Sequence, residues 1–566
     1  MQEEKGMTDP AAVEVTDAPD SGTSVSRGKF LAGAAVAGLA VGAPGVARAA
    51  TGRRNAALAN GLAPGMIGGP TGFPGAARYQ YPANSEEGRA ILALKALRKA
   101  GKAPSTLVVQ ALNFARPQFE NKFPAGATAS VVGIFERETG IKIKFVETDP
   151  ATEYQTNIRN ASTKNGSFDL VTGAIEDTGD YANAGLLRPL DDYVAKYRPS
   201  WNDPKYGYAG GRSTVQLFTQ YNGQTYWVAF DNDTQPFVYR ADLFSDPKEK
   251  AGFEDKYGQP LRAPQTWADQ AKIAAWFTRP DAATPLYGSV ERKGPFWGKV
   301  NWQHRFVSGA DPNMYYFKPD GSANVNNAAG IRASAEHLRS LQWSEPGNLS
   351  KDWLSQYALF GAGNGLMGGT FANVTKIVPG NKDLDTGGFG KYLRTEVQPG
   401  RLIKGKLVRR VAMHYNISYG VNAFSPKKNH EAAYLFLQWA GGARMYTYLC
   451  ANPAGYQDPH HKITLDDPLA KASYKPYGMK ALKEIIPRSV PPITIRGAGE
   501  YNQALDEELQ KMLTKQTSPE KAMANVEQRW NTITERLGKS KQAKVVVASY
   551  KQFPKKGVYG PNKPIN

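Results

Sequence analysis

The sequence predicts an α/β protein built on a mainly parallel sheet with crossover helices. Three observations carry this. Short apolar strands alternate with helical segments from residue 106 onward, the order that lays helices across parallel strands. Gly140 separates a helix-patterned segment from the strand after it, as glycine does at a helix stop. The strand at 168–171 runs into a small-residue turn, with Glu176 and Asp177 just beyond. In an open α/β sheet, ligands sit beyond the carboxyl ends of strands, so these two acids stand where a small molecule would be held.

Taken in order, residues 1–49 read as an export signal. A polar leader precedes Ser26-Arg27-Gly28-Lys29-Phe30-Leu31, an Ala/Gly/Val run reaches Val46, and Ala47-Arg48-Ala49 offers small residues for a signal peptidase. The motif is twin-arginine-like, with Gly28 in place of the second arginine, and the general secretory route stays open. Residues 50–85 are rich in Gly, Ala and Pro and are expected as an unfixed linker or an arm on the surface. Ile91, Leu92, Leu94 and Leu97 give 86–99 helical spacing. A strand is expected at 106–112. A helix within 124–139 carries Val131, Val132, Ile134 and Phe135, and the next strand spans 141–147.

Composition is globular, with 41% apolar and 11% aromatic residues. The chain carries a formal charge of +19. Its basic residues are scattered and form no dense run interleaved with aromatics, which argues against nucleic acid as a partner. An acidic saccharide fits such a charge better. Cys450 is the only cysteine, so no intramolecular disulfide forms, and its expected role is a small buried apolar side chain. No cysteine stands directly after the expected cleavage point at Ala49, so a soluble product without a lipid anchor there is expected. His460-His461 lies near Asp458, Asp466 and Asp467. Adjacent loop histidines point apart and no metal-binding spacing supports them, so neither a metal nor a cofactor is expected. No Gly-x-Ser-x-Gly motif or phosphate loop is present. Gly361-Ala362-Gly363-Asn364-Gly365 precedes a strand, not a helix, and is no dinucleotide loop.

Several landmarks occur together in one order. They include 168–194 with its Ala-x-x-Gly-Leu-Leu tail, Glu138-Thr139-Gly140-Ile141, the segment from Tyr226 to Phe244, and Pro264-Gln265-Thr266-Trp267. Further on come Gly309-Ala310-Asp311, the strand ending Gly369-Thr370-Phe371, Tyr419 to Pro426 before a helix, and Ser518-Pro519-Glu520 before the last helix. The set resembles the family 1 extracellular solute-binding proteins of ABC importers, the carbohydrate-binding group that includes maltose-binding protein. The resemblance spans roughly 106–535.

It implies a two-lobed type II periplasmic-binding-protein fold, each lobe a mainly parallel sheet flanked by helices. Lobe 1 would take 104–233 and 421–486, lobe 2 would take 234–413 and 497–540, and 541–566 would be a tail. Crossings would fall near 231–236, 414–421 and 487–497. By resemblance, ligand contacts would come from Glu176 and Asp177 in lobe 1 and from Asp231 and Asp233 in the hinge. Trp302, Thr370, Phe371 and Tyr501 would serve from lobe 2, with Asn113 as an amide donor and Arg496 facing any acidic substituent. Trp297 and Trp343 are further aromatics of weaker placement. The implied function is the periplasmic component of an ABC importer, a monomer that closes on an oligosaccharide or polyol, with acidic sugars as the second choice, and delivers it to the permease without catalysis. The alternative is a secreted glycosidase or polysaccharide lyase pairing Glu176 with Asp233 or Asp231.

Overall fold

Local signals in the sequence set the first elements. Ser85 accepts a hydrogen bond from the Gly88 amide and opens helix α1 (Glu86–Lys99). Ser130 caps α2 (Val131–Thr139) through the Gly133 amide, and Gly140, at φ 69°, closes it. A left-handed residue at that point suits glycine, which has no Cβ to clash. Strands β1 (Thr106–Leu112) and β2 (Lys142–Thr148) flank α2, and β3 (Leu170–Ala174) follows. The computed structural model describes residues 61–555 and the backbone of Val558–Tyr559. The expected export signal, 1–49, lies outside the described residues.

Beyond β3 the chain forms β4 (Val228–Ala229), β5 (Phe237–Arg240), β6 (Met367–Gly369), β7 (Leu393–Glu396), β8 (Val411–Ala412), β9 (Ile417–Val421) and β10 (Ser489–Val490). The first sheet has the order β2-β1-β3-β9-β4. β1 runs parallel to β2 and β3, with Val109 opposite Leu170, whereas β9 runs antiparallel to β3 and β4. The second sheet, β6-β5-β7, pairs antiparallel throughout. A mainly parallel sheet was expected in each lobe, and this second sheet departs from it. β5 enters straight from the first sheet rather than through a crossover helix, so it runs against the strands beside it. β8 and β10 form a short parallel pair.

Segments 230–236 and 413–416 run directly between strands of the first sheet and strands outside it, and 491–497 leads from β10 into helix α3 (Ala498–Leu513). Each side has its own buried core. Leu107, Ile134, Phe135, Leu170, Phe436 and Trp439 belong to the first, and Trp302, Phe306, Leu505 and Trp530 to another. A capping box opens the helix Trp267–Phe277: Thr266 Oγ1 accepts from the Asp269 amide (3.1 Å) and the Asp269 carboxylate from the Thr266 amide (3.0 Å).

Two expected surface stretches are anchored. Within 50–85, Phe73, Tyr79 and Tyr81 are buried in the first core. The Trp439 indole donates to Tyr81 Oη (2.7 Å), and Tyr79 donates to Asp467 (2.9 Å). Within 541–566, Val546, Tyr550 and Phe553 are buried, and Tyr550 Oη accepts from the Tyr316 and Phe317 amides (both 2.9 Å). In both stretches a few buried aromatic side chains hold to the core a segment expected as a linker or arm in one case and a tail in the other.

Candidate functional site

The crossings bring buried charge and aromatic rings together. Past β3 the chain makes a single turn at Ile175–Asp177, which turns Glu176 inward. Its carboxylate accepts from the Tyr415 amide (3.1 Å) and lies 3.0 Å from His414 Nδ1. Burial pushes this carboxyl up, but His414 and Lys299 outweigh it and hold Glu176 below the ordinary carboxylate range. Asp177 beside it is pushed well up, by burial first and then by Glu176, Glu153 and Asp180. Glu153 rises to about 8 through burial, although the Tyr415 hydroxyl donates to it (3.1 Å).

The crossing at 230–236 adds two more acids. Asp231 Oδ1 accepts from the Asn232 amide (2.8 Å) and the Asp458 amide (2.6 Å), and its Oδ2 has no partner. Asp233 is 4% exposed, and its Oδ1 has no partner. Burial, then Asp231 and Asp458, push its carboxyl well up, against the pull of Arg292. Arg292 donates through Nη2 to Gln235 Oε1 (2.6 Å), while Nε and Nη1 are buried without partners. Burial lowers its pKa to about 10. These are among several buried polar atoms without a protein partner, the kind that a ligand group or a water satisfies.

Aromatic rings frame these charges. The Arg292 guanidinium lies 4.5 Å from the Phe371 ring centre and 5.9 Å from that of Trp297. Trp297 stands edge-on to Phe371 (6.3 Å) and to Tyr415 (5.7 Å). Phe296 (φ 69°) and Tyr415 (φ 65°) are left-handed and touch ring to ring at 5.7 Å. Bulky residues there are genuine outliers, and such strain persists where surrounding contacts enforce it. The enforcement is visible: Asp506 accepts from the Phe296 amide (2.7 Å), and Lys299 donates to the Phe296 carbonyl (2.6 Å).

Glu176, Asp177, Asp231, Asp233 and Phe371 therefore converge. Thr370, whose amide donates to the Pro236 carbonyl (3.2 Å), joins them at the end of β6. Asn113 is half-buried at the end of β1, and its neighbour Phe114 meets Trp353 (5.6 Å) and Tyr456 (5.0 Å) edge-on.

Three expected contacts stand elsewhere. Trp302 is fully buried in the second core, stacked on Phe306 (4.9 Å) and donating to Ser334 Oγ (2.8 Å). Tyr501 is fully buried against Trp530, its hydroxyl 2.8 Å from that of Thr534. Both lie on helices whose apolar side faces that core, and this packing claims their rings. Arg496 is exposed, and its carbonyl accepts from Gln542 (2.6 Å).

Sequence reasoning missed Arg292, His414, Tyr415 and Glu153. The one signal for Arg292 was a run of charges, Glu291-Arg292-Lys293, just before Gly-Pro-Phe-Trp. His460 and His461 pack against Tyr446 and Tyr208, and His461 lies 2.7 Å from the Tyr206 carbonyl and 2.9 Å from that of Gly441. Cys450 is buried.

Two sheets joined by crossings, with charge and rings gathered at those crossings, define the class: a two-lobed α/β fold of the type II periplasmic-binding-protein kind. The chain belongs to the bacterial extracellular solute-binding proteins, whose family model matches residues 116–446. Solved structures agree on the fold. A solute-binding protein from Agrobacterium radiobacter in complex with ribitol is 19% identical, with TM-score 0.59, over 76% of this chain and 99% of that one. Maltose-bound MalE3 of T. maritima is 15% identical, with TM-score 0.60, over 76% and 99%. The GacH receptor of Streptomyces glaucescens, solved unliganded and with acarbose, is 18% identical, with TM-score 0.59, over 76% and 98%. No curated protein sequence matches the chain significantly. Among the described residues, no helix is long and apolar enough to cross a membrane.

Proposed function

We propose that this protein is the carbohydrate-binding component of an ABC importer, exported to the periplasm without a lipid anchor and acting as a monomer. Lobe 1 (104–233 and 421–486) and lobe 2 (234–413 and 497–540) close around the sugar, and the permease receives the closed form. Ligand drives closure because it touches both lobes only when they are shut. The protein performs no catalytic step.

One observation carries this reading: at the crossings, Asp233 and Arg292 interact and each holds buried, unpartnered polar atoms, and the Phe371 and Trp297 rings stand against the Arg292 guanidinium. Carboxylates accept from vicinal hydroxyls and a guanidinium donates to them, at about 1.5–3 kcal/mol per well-placed charged bond. Aromatic faces cover the C–H faces of a sugar ring. Micromolar binding requires about 8 kcal/mol, within reach of three or four such bonds and the rings. Glu176, Asp177, Asp231 and Thr370 complete the proposed contacts, and Asn113 lies at the rim. The bound sugars and polyols of the structural relatives support the same class.

A thermal-shift screen across neutral oligosaccharides, polyols and uronate-containing sugars tests it. A rise in melting temperature with at least one member is expected, without shortening of the sugar. Shortened products would support the enzyme reading instead, and no response across the panel would count against carbohydrate as the ligand.

A further inference from the structure

The buried charge at the crossings does not balance, and the imbalance has one sign. Each cation in the cluster except one is already committed. Lys299 donates to the Phe296 carbonyl (2.6 Å) and faces Asp506. Lys376 donates to the carbonyls of Cys450 and Gln457 (both 3.0 Å). Burial lowers the pKa of the His414 imidazole, and its close partner is Glu176 (3.0 Å), so it answers no further carboxylate. Arg292 alone retains free donors, Nε and Nη1.

Against that single guanidinium stand Asp233 Oδ1, Asp231 Oδ2 and Glu153 Oε1, all buried and unpartnered, with Asp177 beside Glu176. Asp458 is also buried there, its carboxylate bound to the Ala372 amide (2.9 Å) and the Tyr474 hydroxyl (2.9 Å). Taking a lone carboxylate out of water is costly unless a partner supplies charge or protons. Burial and mutual repulsion push Asp177, Asp231 and Asp233 well up, so the chain's own cations leave them under-compensated. The +19 of the whole chain is not mirrored in this cluster.

We propose that the ligand bears a protonated amino group, as an amino sugar does, and seats it against the free oxygen of Asp233, with its ring on Phe371 and Trp297. This rests on the carbohydrate reading and narrows it. An ammonium donates three charged hydrogen bonds, which answers acceptor-only carboxylates directly. It also favours aromatic faces such as those of Phe371 and Trp297. Arg292 then serves the ligand's hydroxyl oxygens.

The test is calorimetric titration of the exported chain, near neutral pH, with a glucosamine disaccharide, its N-acetylated form and the matching glucose disaccharide. The amine should bind about tenfold tighter than either of the others, the scale of one charged hydrogen bond. Asp233→Asn should bring that ratio to about one, and Asp177→Asn, as a second variant, should reduce it in a protein of unchanged circular dichroism. Equal or tighter binding of the glucose form by the wild-type protein would overturn the amine proposal and leave the carbohydrate reading standing. Failure of these three and of the whole sugar panel would overturn both.

Discussion

Two clusters of buried charge meet at consecutive residues, and they differ in one respect. Glu291 and Lys293 bond to Arg305 and Ser340, whereas Arg292 between them reaches Gln235 and the Phe371 ring at the crossings. Around Glu291 the charges are answered from within. Its carboxylate accepts from Arg305 (2.7 Å), Gln270 (3.2 Å) and Lys293 (3.2 Å), and Lys293 also donates to Ser340 (2.7 Å). Burial alone would raise Glu291, but Arg305 and Lys293 outweigh it and hold the carboxyl far below its ordinary range. Around Asp233 the charges are left open. Internal pairing marks architecture, and buried charge left unpaired marks a place prepared for something else.

Substitutions in the two clusters should therefore fail differently. Glu291→Ala leaves Arg305 and Lys293 buried without their anion and should cost about 3–5 kcal/mol, read as a lower urea midpoint. Asp233→Asn removes an under-compensated charge. Its midpoint should stay within about 1 kcal/mol of wild type or rise, while ligand affinity falls. Equal destabilisation by both would erase the distinction.

The aromatics sharpen the same contrast. Trp302→Ala opens a cavity in the second core and should cost about 3–5 kcal/mol of stability. Trp297→Ala should cost less stability and weaken sugar binding by about tenfold, the scale of a ring contact worth roughly 1.5 kcal/mol. The readouts are thermal melting and calorimetry.

A smaller effect should appear with pH. Glu153 is raised to about 8 by burial, so its stabilising contribution is fully present below its unfolded value, roughly 4.3, and is lost as pH rises through about 8. Glu86, raised to about 8 by burial and Glu87, has the same sign. Glu176 is lowered, so its contribution is present above the ordinary carboxylate value and fades on acidification. Glu153→Gln should thus flatten, without abolishing, the fall in melting temperature of the unliganded protein from mildly acidic to mildly basic pH. An unchanged slope would remove Glu153 from the titrating set.

The first lobe was largely legible because its signals are local. The helix over 86–99 forms at the expected residues behind a serine cap, and Gly140 stops α2. The second sheet was not, since strand direction there depends on where the chain enters, which no short window reports. Acids were easier to place than rings. Glu176, Asp177 and Asp233 sit at a strand end or a crossing, positions that sequence order implies. Trp302 and Trp297 are both tryptophans in one short stretch. One faces the core from a helix buried from Lys299 to Ser308, and the other stands in the loop before it. Only the three-dimensional packing separates them. Arg292 stands between Glu291 and Lys293, and a short run of charges is equally the mark of a solvated loop, so the sequence carries no sign of its burial.

The most direct measurement is the structure of the complex with whichever sugar gives the largest thermal shift. The account predicts a sugar ring within about 4 Å of Trp297 and Phe371, with its polar groups on Asp233 and Arg292 and contacts to both lobes. A sugar held by one lobe alone, or seated on the outer groove lined by Glu500, Asn525 and Arg529 with Asp233 untouched, would contradict it.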